Sequence, residues 1–446
     1  MIIVEIIKFY SEIGSNIFKY QYLLGRPILD FLYLISNNLF NFLLFLAITI
    51  SAIYFIMSIY AVINRKKQAE VEFIAEKAPF VTIQIPTYNE LVAIRCAKKC
   101  LEFDYPEEKF EIIIGDDSNN PDVSKRIDSF SKKHEKIIVT RRGSNRGYKA
   151  GNLNYMLQRS KGEILVIFDS DFIPERDFLK RIIAPFISDG SISGVQARWK
   201  SMDKNRNLVS LLGSTIIDVF HHTCLPFINK KGSLSFLCGS AEAVRKKDLQ
   251  ELGGWESGSL TEDIEFSLKL LKNGKRIIYL SELECLGEVP YTPKDLYKQQ
   301  MRWAYGVISS FKKHFTTLFL KNENIGFKEK FYISFFCSGY LLSFLLLMLF
   351  TTGTISFITH PPGPIDLSRF FGELFRNVAL TSGIIISSIF TMAKTKNIKK
   401  LASMFAASFS IGLIVTYYVN MGIFKVLFNK PMEWYMLNKK GNLEET

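Results

Sequence analysis

Hydrophobic and polar positions are spread unevenly along this chain, and the unevenness divides it into parts. From Phe31 to Asn64 there is no charged residue, and Leu39 to Ile63 is nearly all apolar. That run exceeds the roughly 20 residues needed to cross a bilayer, so a transmembrane helix is expected there. It lies well inside the N-terminus and carries no small-residue cleavage site, so it reads as a retained span and not as a signal peptide. Three further apolar stretches follow much later: Phe331–Phe357, Asn377–Ala393, which is barely long enough to span, and Leu401–Phe424.

Between these flanks the pattern changes to short apolar runs that end in polar or acidic residues: Val81–Ile85, Phe110–Ile114, Lys136–Thr140 and Ile164–Phe168. Such runs predict buried parallel strands. Helix-like stretches, Leu91–Phe103 and Gly151–Ser160, alternate with them, which predicts an open α/β sheet covered on both faces. Ligands of such sheets bind beyond the carboxyl ends of the strands.

An average of 48% hydrophobic and 22% charged residues over 446 positions fits this split between membrane and soluble parts. Basic residues gather beside the apolar flanks on the soluble side: Arg65, Lys66 and Lys67, then Lys312, Lys313, Lys321, Lys328 and Lys330. The positive-inside rule therefore predicts a cytoplasmic domain. Lysines facing anionic lipid account for the net charge of +13, no nucleic-acid motif is present, and no nucleic-acid partner is expected. The six cysteines form no C-x-x-C pair and no metal-type spacing with histidine, so neither a zinc site nor a disulfide framework is expected. His221 and His222 are adjacent, point in different directions, and read as ordinary helix residues.

The polar residues at the strand ends are Pro86-Thr87-Tyr88-Asn89-Glu90, Asp116-Asp117-Ser118 and Asp169-Ser170-Asp171. Each alone is an ordinary helix cap or turn; their repetition at three strand ends is not. Asp169 and Asp171 are two apart, so extended geometry turns both to one face, where a hard divalent cation finds oxygen ligands. Thr261-Glu262-Asp263 precedes the helix-like Ile264–Lys272, as a helix cap or as the source of a general base. Gln299, Arg302 and Trp303 share a helix face. There Arg302 suits a phosphate and Trp303 suits either a sugar ring or a membrane interface.

In this order, Asp116-Asp117, the D-x-D at Asp169–Asp171, the T-E-D at Thr261–Asp263 and the Q-x-x-R-W at Gln299–Trp303 resemble the processive family 2 glycosyltransferases. Those include cellulose, chitin and hyaluronan synthases and the plant cellulose-synthase-like glucan and mannan synthases. Lys149–Asn154, Gly194–Trp199 and Cys238–Ala241 extend the resemblance, which runs from about Pro86 to Gly306. It implies a GT-A type, Rossmann-like α/β nucleotide-sugar-binding domain with flanking transmembrane and interfacial helices. The implied donor-nucleotide residues are Pro86, Thr87, Tyr88, Glu90, Asp116, Asp117, Lys149, Asp169 and Arg302. Asp169 and Asp171 would hold Mg²⁺ or Mn²⁺. Asp263 would be the base with Glu262 beside it, and Cys238, Gly239, Ser240, Gln299 and Trp303 would meet the acceptor.

The division this implies is 1–35 N-terminal interfacial or external segment, 36–64 transmembrane helix, 65–293 catalytic domain, 294–330 interfacial helices, 331–428 transmembrane or interfacial helices, and 429–446 cytoplasmic tail. The implied function is inverting hexose transfer from a nucleotide sugar, UDP-glucose first and GDP-mannose second, to a β-linked glycan, on the cytoplasmic face of the plasma membrane. The alternatives are addition of one sugar to a polyprenyl-phosphate or glycolipid acceptor, and a non-catalytic membrane scaffold. Membrane lipid is an expected partner, and a homo-oligomer is admitted.

The chain also departs from the family. Glu433–Gly441 resembles the relatives' gating-loop segment but has Leu437 where a Thr usually stands. The relatives generally continue into further transmembrane helices, which leaves open whether polymer passes through a one-chain channel. Four full spans would leave Lys439 and Lys440 external, so either Leu401–Phe424 or Asn377–Ala393 is expected to lie partly in the interface.

Overall fold

The computed structural model describes residues 25–64, 71–202, 206–231, 234–320, 325–361, 363 and 366–441. Arg65, Lys66, Lys67, Lys321 and the segment before residue 25 lie outside the described residues. Contacts group the chain into two units, Met1–Ser58 with Tyr340–Ser387, and Ile59–Gly339 with Ser388–Thr446.

The second unit is built on one seven-stranded sheet of order β3-β2-β1-β4-β6-β5-β7. Its strands are β1 Val81–Thr87, β2 Phe110–Asp116, β3 Ile137–Thr140, β4 Ile164–Ile167, β5 Ile192–Ser201, β6 Glu242–Arg245 and β7 Arg276–Gly287. The four expected strands pair in parallel, β1 with β2 and β4, and β2 with β3. Their apolar runs are buried on both faces, as parallel strands beneath helices require. Two polar residues inside β1 have hydrogen-bond partners: Thr82 donates to the Glu111 carboxylate at 2.7 Å, and Gln84 Nε2 donates to Ser160 at 3.0 Å.

The sheet is mixed, because β6 runs antiparallel between β4 and β5. Apolar periodicity did not mark β5, β6 or β7 as strands. β6 is only four residues long and begins with a charge, and β7 mixes polar with apolar positions. On one face, Ile83, Ile112 and Val166 join Cys96, Phe168, Phe178 and Ile182 in a common core. Phe168 and Phe178 are fully enclosed, each worth about 1.5–3 kcal/mol of burial.

The helix Leu208–Val219 starts with a reciprocal cap between Asn207 and Ser210 and continues through a π-helical turn, Phe220–Cys224, into Leu225–Ile228. It is long and apolar enough to cross a membrane, yet most of it is buried inside the protein. The helix Pro293–Phe319 begins with Pro293 at its first position and a Thr292 cap. Leu401–Leu427 packs along it, with Tyr297 and Tyr418 stacked at 3.9 Å and Gly422 placed where an added Cβ would stand 2.8 Å from the Met301 carbonyl oxygen.

In the first unit, the helix beginning at Arg26 lies against Leu341–Thr359 through small residues. Ser36 and Ser356 hydroxyls meet at 2.8 Å, and Gly353 faces the Phe40 ring. Farther along the same helix, Ser51 accepts from the Gly383 amide at 2.8 Å and Ser58 meets Ser387 at 2.6 Å. Phe31, Phe42, Phe45 and Phe350 are exposed, the surface expected of lipid-facing helices. The expected apolar stretch Phe331–Phe357 is two helices, Phe327–Cys337 and Leu341–Thr359. Asn377–Ala393 is broken between Leu367–Thr381 and Gly383–Lys394, which bend by 58°.

Candidate active site

Past the carboxyl ends of β1, β2 and β4 lies a cleft with an empty volume of ≈ 1390 Å³ including its open mouth. Pro86, Thr87, Tyr88, Glu90, Asp117, Lys149, Asp169 and Asp171 line it, as do Cys238, Gly239, Glu262, Asp263, Gln299, Arg302 and Trp303. Asp116 and Ser240, expected with them, do not line it. The Asp116 carboxylate accepts from the Ser118 amide at 3.0 Å, the Ser124 hydroxyl at 2.7 Å and Arg141 Nε at 2.8 Å, which ties down the turn behind the cleft. Ser240 Oγ accepts from the Asp169 amide at 2.9 Å and so supports the D-x-D turn from below.

Local conformation delivers these groups. Asn89 takes a left-handed φ of 56°, tolerated because its side chain accepts from the amides of Asn119 and Asn120, both at 3.1 Å. Gly239 takes φ 88° and lets the backbone approach the Asp263 carboxylate: a Cβ there would stand 3.3 Å from Asp263 Oδ2. Two amides of this turn, Cys238 and Gly239, donate to Glu242 Oε2 at 3.0 and 2.7 Å, and the Cys238 amide also donates to Gln196 Oε1 at 2.7 Å.

Charge is concentrated and largely paired. Lys149 Nζ bridges Asp169 at 2.7 Å and Glu262 at 3.1 Å and donates to the Gly239 carbonyl. Burial opposes its charge, but the Asp169, Glu262 and Glu242 carboxylates outweigh that and hold its pKa above the ordinary lysine value. Asp169 is penalised by burial, which Lys149 and Lys439 outweigh, so its carboxyl lies below its ordinary range. Asp263 goes the other way: burial first and the Glu262 charge second push it up to about 7, against Lys149 and Arg302. Burial and then Asp263 push the Glu242 carboxyl up to about 8.

The opposite wall is aromatic. Trp303 lies 6.4 Å from Trp199, whose ring stacks on His221 at 5.4 Å and whose Nε1 donates to the Ser240 carbonyl at 2.8 Å. His221 sits in the π-helical turn and backs this wall; burial and then Arg198 lower its pKa to about 3, so it stays neutral.

Tail residues form another side of the cleft. The Trp434 ring meets Tyr88 at 6.0 Å and Tyr148 at 6.3 Å. Tyr435 and Asn438 donate to Asp295, and the Lys440 and Gly441 amides to Glu288 at 2.7 and 3.0 Å. Lys439 Nζ rests on Asp171 Oδ1 at 2.8 Å, Ser170 Oγ at 2.9 Å and Glu90 Oε2 at 3.1 Å. Among the described residues no group of three or more His, Cys, Asp or Glu side chains is assembled as a metal cage. The Asp171, Ser170 and Glu90 oxygens around Lys439 are of the hard type that a divalent cation takes, and here they hold its ammonium.

Reasoning from the sequence missed Gln196 and Glu242 behind the Cys238–Gly239 turn, Asp295 and Glu288 beneath the tail, and Trp199 in the wall. Gln196 and Trp199 fall within the Gly194–Trp199 segment noted above, which was the available signal. Nothing local marks the other three.

An open α/β sheet whose carboxyl edge gathers acidic turns, a buried carboxylate and an aromatic wall in one cleft is the GT-A type of nucleotide-sugar-binding fold. The family described as Glycosyl transferase family group 2 matches residues 164–432, more than half of the chain, and the protein belongs to it. It is 30% identical over 270 residues to glucomannan 4-beta-mannosyltransferase 2 of Arabidopsis thaliana, covering 58% of this chain and 50% of the relative. It is 26% identical over 397 residues to glucomannan 4-beta-mannosyltransferase 7 of the same plant, covering 84% and 68%. The chain thus spans about half the length of the first of these relatives. In fold it is similar to the mannosyltransferase PcManGT from Pyrobaculum calidifontis, solved with GDP-Man and Mn²⁺, at a TM-score of 0.59 and 19% identity, covering 87% of this chain and 100% of that one.

Proposed function

We propose that this protein is a membrane-integrated inverting hexosyltransferase that extends a β-linked glycan, with mannose as the transferred sugar. The names of the plant relatives favour a mannosyl donor over the UDP-glucose first expected. The observation that carries the reaction is Asp263, a buried carboxyl raised to about 7 between the donor loops and the aromatic wall. Ionised, its oxygen takes the proton of the attacking acceptor hydroxyl. The acceptor oxygen, as it gives up that proton, bonds to the anomeric carbon on the face opposite the nucleotide, while the bond from that carbon to the diphosphate oxygen breaks and the nucleoside diphosphate departs.

Lys149 holds Asp169 and Glu262 at a fixed spacing, and the Glu242-anchored turn keeps Gly239 close against Asp263. Arg302 lies near enough to Asp169 and Asp263 to favour both carboxylates, and suits a donor phosphate. A divalent cation at Asp171, with Asp169, Glu90 and Ser170 nearby, would neutralise charge on the departing diphosphate. We assign catalysis to residues 65–293 and the acceptor helix to 294–330, with this part on the cytoplasmic side.

The test is purified protein in nanodiscs with GDP-mannose, UDP-glucose and other nucleotide sugars, Mg²⁺ or Mn²⁺, and sized products. Transfer of mannose that disappears in Asp263→Asn is expected. Transfer that persists in Asp263→Asn would remove the base assignment, and a product limited to one sugar on a lipid would favour the single-addition enzyme.

A further inference from the structure

One wall of the cleft is more elaborate than a single sugar platform needs. Trp199 is held from three sides: by the bond from Nε1 to the Ser240 carbonyl, by the His221 ring stacked behind it, and by Phe172 edge-on at 5.2 Å. The His221 ring is itself fixed, since its Nδ1 lies 3.3 Å from the Tyr279 hydroxyl and 3.4 Å from the Trp199 amide. A π-helical turn, a rare local departure from the α-helix, places that histidine. Both Trp199 and Trp303 remain partly exposed, and both line the cleft.

Polar groups along this wall point to the ligand. Ser201 Oγ, two residues beyond Trp199 on β5, and Gln299 Oε1, one turn before Trp303, are buried and have no hydrogen-bond partner among the described residues. Both residues line the cleft. A buried polar atom left unpaired costs free energy, so these positions suit a ligand that brings hydroxyl groups between apolar faces. A pyranose has that chemistry: its C–H faces stack on indole and its hydroxyls meet polar side chains at the edge.

We propose that Trp303 and Trp199 form a two-ring acceptor track, with the attacking sugar on Trp303 beside Asp263 and the preceding sugar of the same glycan on Trp199. The acceptor is then an oligosaccharide engaged through two consecutive pyranoses, and Trp199 sets that length requirement. This rests on the hexosyl-transfer reading for the identity of the site, and it deepens that reading by naming the acceptor class.

The test is binding of mannose, β-1,4-mannobiose and β-1,4-mannotriose to the full chain in nanodiscs, without donor. The native protein is expected to bind the disaccharide about five- to tenfold tighter than the monosaccharide, the gain of one added aromatic platform. Trp199→Leu, which keeps an apolar wall without a ring, brings the ratio of disaccharide to monosaccharide affinity down to about one, whereas Trp199→Phe restores most of it. Equal affinity of the native protein for all three saccharides overturns the track. So does a Trp199→Leu protein that loses mono- and disaccharide affinity alike, because the ring then merely supports the turn at Ser240. Should Trp199→Leu not fold, the native series against Trp199→Phe still decides. Because binding is read without turnover, failure of transfer from every nucleotide sugar would sink the proposed reaction and leave this result separate.

Discussion

At Asp263, burial and the Glu262 charge bring the carboxyl into the range where its proton occupancy changes near neutrality. A protonated carboxyl cannot accept the acceptor's proton, so kcat/KM is expected to fall about tenfold per pH unit below about 7 and to level off above it. A rate independent of pH between 5 and 8 would contradict this. The folded pKa is raised, so the folded state holds the proton more tightly than the unfolded chain. This group therefore weakens the fold as pH rises from about 4 toward about 7. Asp263→Asn should accordingly abolish transfer while leaving Tm at pH 8 unchanged or higher; a marked loss of Tm would make the residue structural.

Lys439 allows a second residue-level test. Its ammonium sits on Asp171, Ser170 and Glu90, the oxygens a divalent ion would use. Lys439→Met should tighten Mn²⁺ binding several-fold in the absence of donor, as read by electron paramagnetic resonance. Unchanged or weaker binding would show that the ammonium is no stand-in. That these carboxylates gather at the strand ends was legible in the residues, because acidic groups after apolar runs are a local pattern. That Asp169 and Asp171 pair with two different lysines was not, since one of those lysines lies more than 260 positions away.

At the scale of elements, the approach of the helix Pro293–Phe319 to the loop before Asp263 depends on Gly306. An added Cβ there would collide with the Thr261 side chain. Gly306→Ala is expected to destabilise the protein by about 1–3 kcal/mol and to lower kcat, since relief of the clash moves either the Trp303 helix or the Thr261–Asp263 turn. Gly190→Ala, with nothing within 4 Å of the new methyl, serves as the neutral control. Thermal unfolding and kcat measured side by side check both, and equal behaviour of the two variants would dismiss the close approach. The helix itself could be read from its Pro start and its i, i+3, i+4 face, but the need for glycine on its other side appears only when Thr261 is beside it.

For the whole molecule, the described residues contain four helices long and apolar enough to cross a membrane, one of them Leu208–Ile228, which is mostly buried in the protein. The protein should therefore resist extraction by alkali and require detergent. A protease site inserted between Asp203 and Asn207 should be protected in intact cells and cut after permeabilisation, as a cytoplasmic catalytic part requires. Cleavage in intact cells would reverse the orientation.

The sequence by itself determined the class of fold, the four parallel strands, the order of the carboxylate motifs and the family, because these are written in local periodicity and in spaced residue types. Only the tertiary structure decided the antiparallel insertion of β6, the removal of Leu208–Ile228 from the surface, the turning of Asp116 and Ser240 away from the cleft, and the reach of Lys439 into it. Each of these depends on which surfaces meet across long separations in the chain. Burial, pairing and pKa belong to such meetings and not to any segment alone.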